Sequence, residues 1–353
     1  ELCRFARHPL IKMSEPAHEH EPEPEPTAKH PDAKLLAEIF TLLRNATGVD
    51  FGYYKPTTIW RRLLRRIVMN KLEGLQPYLE LLRKNPAELQ GLYDDLLIHV
   101  THFFRDPRAF ELLKTKVFPG LVPKDGRREP IRIWVPGCST GEEAYSLAIA
   151  LLEFLGDRAS TTPIQIFATD IDDNAIEKAR NGVYADGIQG DVPNAILRRF
   201  FTKTAGGYQI AKRVRDLCIF AKQNLVKDPP FASLDLISCR NVLIYLGPAV
   251  QKKIIPVFHY ALKPNGALML GSAEAISEFG GLFNPVDKKQ RVFLKKPGPS
   301  KLRLDFTMSP EALGAHPKPR LTSAPNWPES DVLRLADRTL LNRFVPAGLI
   351  LNS

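Results

Sequence analysis

The sequence predicts an α/β domain built on a parallel sheet, preceded by a small all-helical domain. Three observations predict it. From Ile131 onward the apolar runs "IRIWV", "IQIFATD", "LDLISC" and "GALMLG" alternate with helical patterns near 142–155, 173–181 and 248–262. Such alternation implies parallel strands covered on both faces. The stretch from 198 to 225 breaks the rhythm, and short β-branched and aromatic runs around Gly206 and Gly207 suggest an inserted hairpin. Upstream, from Asp32 to about Arg128, the apolar pattern is helical throughout.

The elements follow in chain order. Residues 1–31 read as the end of a preceding module and a Pro/Glu-rich linker, "SEPAHEHEPEPEPTAKHP". His18, His20 and His30 lie in it, and a solvated linker holds no metal geometry. The all-helical domain spans 32–128, with "AKLLAEIFTLLRN", then "PTTIWRRLLRRIVMN" opening on the helix-start residues Pro56, Thr57 and Thr58, then "LQPYLELLRKN", "PAELQGLYDDLLIHV" and "DPRAFELLKTKVF". The α/β domain spans 129–296, with the β-subdomain at about 198–222. Runs around "FNPV" and "QRVFLKK" suggest an antiparallel pair closing the sheet. Residues 297–329 are again a Pro-rich linker, and 330–353 read as a helix and first strand that begin a further domain.

Composition narrows the class. The chain has 353 residues, 44% of them hydrophobic, enough to fill a core in each of two domains. No apolar run approaches the ~20 residues of a membrane span, so membrane insertion is not expected. Cys3, Cys138, Cys218 and Cys239 are widely separated and form no CxxC, which suggests free thiols and a cytoplasmic setting. The net charge of +10 allows an acidic partner without choosing among nucleic acid, lipid and protein.

The turn "VPGCSTGEE" after the first strand admits three readings. A phosphate loop would need GxxxxGK[ST] or GxGxxG, and Glu142 with Glu143 at the helix N-terminus would repel a pyrophosphate. A nucleophile elbow matches literally, since "GCSTG" is GxSxG. It then needs a later acid and a loop histidine, but the histidines after Ser139 are His259, in a predicted helix, and His316, in the Pro-rich tail. The third reading is S-adenosylmethionine (SAM), a cofactor without phosphate. Small residues let the backbone approach it, acids are welcome near its sulfonium, and the second strand should end in an acid for the ribose hydroxyls. "IQIFATDID" supplies Asp170 there, whose alternative role is to cap the next helix.

The stretches "VTHFFRD", "STGEEAYSLAI", "FATDIDDNAIEKARNGVY", "QNL" and "CRNVLIYL", in that order, resemble the CheR-type chemotaxis receptor methyltransferases over about residues 34–296. The resemblance implies a Rossmann-like class I SAM-dependent methyltransferase domain with an inserted β-hairpin subdomain, preceded by a small all-α domain. The segments "ELCRFARHPLI" and "RTLLNRFVPAGLILN" are similar to the ends of CheB-like and PAS-like modules fused to it.

The resemblance also implies site residues. Thr101 and Arg105 would reach the cofactor, with His99 standing where the family has asparagine. Glu142 would face the amino acid end and Asp170 the ribose. Asn224 with Leu225, and Asn241 with Val242, would line the adenine side and the transfer cleft; Arg240 and Tyr245 flank the last motif. The implied reaction gives a glutamyl methyl ester and S-adenosylhomocysteine (SAH) on the cytoplasmic helices of chemoreceptors. A glutamate is already an anion at neutral pH, since its carboxyl has a pKa of ~4.3, so the reaction calls for alignment and no metal or general base. Arg105 or Tyr245 would hold the substrate carboxylate.

From Lys55 to Lys71 the chain carries bases and no acid; on a helix Arg61/Arg65 and Arg62/Arg66 form i,i+4 rows, with Trp60, Leu64, Ile67 and Val68 turned away. The resemblance places such a face against the acidic methylation region of the receptor. The short hairpin turn "KTAGGYQ" suggests binding independent of a receptor C-terminal pentapeptide. Two other functions remain open. One is a module that binds SAM or SAH without transferring a methyl group, for which His99 is the hint. The other is a nucleic acid methyltransferase, for which "DPPF" is the hint, although here that motif precedes the strand it should follow.

Overall fold

The computed structural model describes residues 32–122, 129–274 and 276–297. The segments read as linkers and as the start of a further domain, with His18, His20 and His30, lie outside the described residues. The described chain forms two compact units, one from residues before 99 together with Tyr245–Pro248, the other from His99–Ile244 and the residues from Ala249 onward.

The helical unit is ordered by its breakers. Helix α1 (Ala33–Thr47) stops at Gly48, whose N–H still bonds the Arg44 carbonyl and whose left-handed φ of 75° turns the following chain out of the helix. Helix α2 (Pro56–Met69) starts on a proline, where a missing N–H costs nothing. Helices α3 (Leu75–Lys84) and α4 (Pro86–Leu96) are separated by Asn85, whose side chain accepts from the Ala87 and Glu88 amides and caps α4. Ile39 and Leu43 of α1, Ile59, Leu63 and Ile67 of α2, Tyr78 and Leu82 of α3 and Leu92 of α4 are buried. The returning segment is tied on by backbone bonds, Lys55 N to Tyr245 O at 2.8 Å and Gly247 N to Tyr53 O at 2.9 Å.

The second unit opens with α5 (Pro107–Leu112), which continues through a π-helical turn at Leu113–Val117. Then come β1 (Ile131–Pro136), α6 (Glu142–Leu155), β2 (Ile164–Asp170), α7 (Asp173–Asn181), β3 (Val183–Tyr184) and α8 (Asn194–Phe200). The hairpin β4 (Phe201–Thr204) and β5 (Gly207–Ile210) follows, then α9 (Lys212–Arg215), β6 (Cys218–Lys222), β7 (Leu234–Cys239) and α10 (Pro248–Ala261). Strands β8 (Leu262–Leu270), β9 (Phe283–Asp287) and β10 (Val292–Lys295) close the order.

The main sheet runs β6-β2-β1-β7-β8-β10-β9. Strands β6 to β8 pair in parallel, and β10 and β9 add the expected antiparallel pair. Trp134 Nε1 donates to Thr169 Oγ1 at 3.0 Å and ties β1 to β2 inside the core. Strand order reverses at β1, between β2 and β7, so the crevice beyond the end of β1 is the place where open α/β sheets bind ligands. The glycine turn begins there.

The inserted subdomain differs from its expected span of about 198–222. Residues 218–222 form β6, a parallel edge strand of the main sheet, registered from Cys218 on Ile166 to Lys222 on Asp170. The hairpin instead gains β3, giving a three-stranded sheet in the order β3-β5-β4.

Candidate cofactor-binding site

The turn after β1 is shaped by close approach. Gly137 has φ 68°, and a Cβ there would lie 2.4 Å from Val242 Cγ2. Gly141 has φ 97°, and its Cβ would lie 2.9 Å from the Ala179 methyl group. Between them Ser139 takes φ 50°, a left-handed conformation uncommon for a residue with a side chain. The turn is pinned from β2: Cys138 N donates to Thr169 O at 2.9 Å, and Ser139 N to Asp170 Oδ2 at 2.7 Å.

Asp170 therefore holds the turn directly. Its other oxygen accepts from Asp172 N at 3.1 Å. The helix-capping alternative belongs to Asp172, whose side chain accepts from Asn174 N at 2.9 Å. An ionised carboxylate has about four lone-pair sites, and two on Asp170 are used. Burial pushes its carboxyl above the usual range, opposed by the Asp172 and Ser139 amides. Glu142, in the first turn of α6, accepts from Thr140 Oγ1 at 2.7 Å, and burial raises its carboxyl too.

His99 sits in the same cluster. Nε2 lies 2.9 Å from Asp172 Oδ2, and Nδ1 lies 3.3 Å from Ser139 Oγ. Both ring nitrogens thus have protein partners, so a cofactor contact at His99 would replace one of them. The order Ser139, His99, Asp172 is also that of a hydrolase triad. The histidine precedes the serine in the chain, which is why a search downstream of Ser139 does not find it. Two features weaken that reading: the Ser139 contact exceeds ordinary O–H···N length, and Ser139 is 7% exposed.

The loop before α5 carries Thr101, which is half-buried, and Arg105, whose Nη1 donates to Val100 O at 3.2 Å. This loop is fastened by Phe104 N to Ser146 Oγ at 2.9 Å, and by a group the sequence reading left unpaired. Arg240, 4% exposed at its side chain, bridges Asp106 in the loop and Glu143 on α6; Glu143 also accepts from Ser238 Oγ at 2.8 Å. Glu143 is thereby occupied, whereas the carboxylate of its neighbour Glu142 accepts from Thr140 within the turn.

Asn224 caps its own turn, its Oδ1 accepting from Val226 N at 3.0 Å, and Leu225 lies within that turn. Asn241 has φ 59°, and its buried Oδ1 has no hydrogen-bond partner among the described residues. Next to it, Val242 fills the space beside Gly137. The sequence reading missed the residue that holds both. Glu274, 4% exposed, accepts from Gly271 N at 2.6 Å, Asn241 N at 3.0 Å, Val242 N at 2.9 Å and Leu243 N at 2.7 Å. The signal for it was a lone acid just beyond an apolar strand, the same signal that marked Asp170.

Tyr245 belongs with the helical unit, its carbonyl accepting from Lys55. Of the four expected docking arginines, Arg61 and Arg65 are exposed and Arg62 is half-buried. Arg66 departs from expectation. Its guanidinium bonds Glu88 through Nη2 at 2.5 Å and Nε at 2.9 Å, and Asp95 through Nη1 at 3.3 Å, so it is committed inside the helical unit. Ile59 and Leu63 join Leu64 and Ile67 on the buried face; Trp60 and Val68 are half-buried. Among the described residues no group of three His, Cys, Asp or Glu could hold a metal ion, and no helix is long and apolar enough to cross a membrane.

A buried acceptor at Asn241 without a partner among the described residues, spare lone pairs on Asp170, the Glu142 carboxylate and a glycine at position 137 together suit a ligand with hydroxyls, an ammonium and an adenine. Comparison with known proteins agrees. Residues 34–97 match the CheR methyltransferase all-alpha domain, and residues 99–292 the CheR methyltransferase SAM-binding domain. Chemotaxis protein methyltransferase 2 of Vibrio cholerae is 32% identical over 244 residues, covering 67% of this chain and 84% of that protein. The chemotaxis protein methyltransferase of Escherichia coli is 32% identical over 251 residues, 68% of this chain and 83% of that protein. An uncharacterized 104.1 kDa protein of Rhodobacter capsulatus is 38% identical over 324 residues, 91% of this chain; the chain spans only 33% of that relative's length.

Proposed function

The chain belongs to the CheR methyltransferase family, and from that premise we propose that it methylates glutamate side chains on the cytoplasmic region of chemotaxis receptors, with SAM as donor. The observation that carries the proposal is the crevice beyond β1, where the glycine turn, pinned by Asp170, meets Val242 next to Asn241, whose buried Oδ1 has no partner among the described residues, within a SAM-binding domain.

Glu142 would receive the amino acid end of SAM and Asp170 the ribose. Asn241, Val242, Asn224 and Leu225 would flank the adenine and the cleft, with Thr101 and Arg105 closing from the loop before α5. His99 acts as a strut between Ser139 and Asp172. When bound, SAM supplies an electrophilic methyl group on a sulfonium. The substrate glutamate needs no base, because it is ionised at neutral pH; the residues around it must hold an oxygen in line, which is proximity catalysis. Arg105 is assigned the substrate carboxylate, since one of its donors is spent on Val100 and the rest of its fork is available.

Arg61 and Arg65, with Arg62 behind them, form the face assigned to the acidic receptor helices. The two-residue connection between β4 and β5 favours docking without a C-terminal pentapeptide; micromolar binding of such a peptide in calorimetry would refute this. The protein is assigned to the cytoplasm, where the receptor helices lie, and its ends to CheB-like and PAS-like neighbours.

The test is SAM and SAH titration by calorimetry, followed by tritiated-methyl transfer to receptor-bearing membranes. Binding with base-labile label on the receptor is the expected result, because methyl esters hydrolyse in alkali. Binding without transfer would favour a SAM or SAH sensor. Arg105→Ala should lower transfer at least tenfold, and full retention of activity and of SAM affinity would remove Arg105 from the mechanism. Labelling of Ser139 by a fluorophosphonate, blocked by His99→Ala, would instead support the hydrolase reading.

A further inference from the structure

Glu274 is a buried carboxylate that the reaction does not use. Among the described residues, the hydrogen bonds to its carboxylate all come from backbone N–H groups. Oε1 takes Val242 at 2.9 Å and Leu243 at 2.7 Å, with Ile244 at 3.4 Å; Oε2 takes Asn241 at 3.0 Å and Gly271 at 2.6 Å. Successive N–H groups turned to one side form a concave anion site. Here the anion comes from the protein itself, and it fixes the path of residues 241–244.

That path matters because of what the loop presents. Asn241 is held at φ 59°, and its buried Oδ1 has no partner among the described residues. Val242 is pressed so close to the glycine turn that a Cβ on Gly137 would lie 2.4 Å from its Cγ2. Behind the loop, a Cβ on Gly271 would lie 2.8 Å from Asn241 N and 3.0 Å from its Nδ2. Glu274 and the bare backbone of Gly271 therefore hold the loop from the same side, with the Asn241 side chain against Gly271 and Val242 against the glycine turn.

We propose that Glu274 is the positioning residue of the cofactor site, setting Asn241 and Val242 from behind through the backbone amides of 241–244. It is assigned no contact of its own with substrate or cofactor. The proposal rests on the SAM-binding reading of the crevice. Glu274→Gln keeps the shape but turns an NH2 group toward N–H donors, so at least one side of the grip becomes donor against donor. Gly271→Ala keeps the carboxylate and crowds Asn241 directly.

The experiment has two readouts on the full chain. Amide hydrogen exchange should show residues 242 and 243 protected in the native chain; fast exchange there overturns the grip, whatever the variants do. SAH calorimetry should then give at least tenfold weaker binding in both variants, and steady-state kinetics should show a rise in KM for SAM larger than the fall in kcat. A purely structural Glu274 would lower the melting temperature and leave SAH affinity of the folded variants at the native value, and that result would sink the proposal. If the native chain binds no SAH at all, the cofactor reading fails; if it binds and both folded variants bind equally, only the Glu274 assignment fails. Should Glu274→Gln not fold, Gly271→Ala carries the affinity comparison.

Discussion

Each of the two units buries a glutamate, and each solves the same problem with different donors. In the helical unit Glu88, 8% exposed, is held by side chains: the Arg66 fork, Tyr78 OH at 2.9 Å and Asn70 Nδ2 at 3.0 Å. In the α/β unit, among the described residues, Glu274 is held by backbone amides. Burial raises both carboxyls. At Glu88 the bonds from Arg66, Tyr78 and Asn70 outweigh burial, and its pKa ends below the ordinary value. At Glu274 burial wins over the four amides that oppose it, and the pKa ends above. A cation neutralises a buried charge; amide dipoles only solvate it. The first arrangement braces helices, and the second shapes a loop.

The largest effect that tests this difference is Arg66→Ala. It strands Glu88 without its cation, and removing one partner of a buried pair costs about 3–5 kcal/mol. Urea unfolding should show that loss, and a change below about 1 kcal/mol would mean that Glu88 is held by its neutral donors, as Glu274 is. Gly91 belongs to the same seat, since a Cβ there would lie 2.6 Å from Arg66 Nη2.

Arg66 also shows where sequence reasoning stopped. Its i,i+4 spacing from Arg62 is real, but a spacing does not say which side of a helix is buried. At roughly 100° per residue, Arg66 lies about 140° around α2 from Arg61 and only about 20° from Ile59, on the rim of the buried face. The pattern was legible; the missing fact was that Glu88 waits there, 22 residues later. Helix limits such as 142–155 were legible because they follow from local periodicity and a glycine at each end. The assignment of "CIFAK" was not, because an apolar run of five residues fits a hairpin or a sheet edge, and its pairing with β2 is a tertiary fact. Within the candidate site, Asp170 could be found by its place after a strand. Arg240 could not be given its partners, because Asp106 and Glu143 are 134 and 97 residues away.

Acidification separates the two glutamates more gently. The pKa of Glu88 is lower in the folded state, so its contribution to stability is complete above the unfolded value of ~4.3 and is lost as pH falls through the lower folded value. The shift at Glu274 has the opposite sign. The folded state takes up its proton first, so between the raised folded value and ~4.3 acidification favours the fold while weakening an acceptor of the loop amides. Comparing native chain with Glu274→Gln should therefore show a fall in SAH affinity in that upper window that the variant lacks, with no matching loss of global stability. Comparing it with Glu88→Gln should show a stability loss confined to the lower window. Equal pH profiles for all three chains would erase the distinction.

The smallest test is Tyr78→Phe. Tyr78 is wholly buried, and its hydroxyl gives one of the bonds to Glu88. Removing it leaves the Arg66 fork and Asn70 in place and no new buried charge, so the expected cost is about 1 kcal/mol. The comparison with Arg66→Ala is informative because both act on the same carboxylate. A cost near that of Arg66→Ala would mean that the network works as one unit, in which no donor can be spared. A cost near 1 kcal/mol would mean that the cation carries it, and that Glu88 tolerates the loss of a neutral donor. Glu274 offers no such graded experiment. Its donors are peptide groups, which a substitution can delete singly only by introducing proline, and proline also fixes φ and so disturbs the loop itself; the clean changes are therefore at the carboxylate or by crowding, as at Gly271.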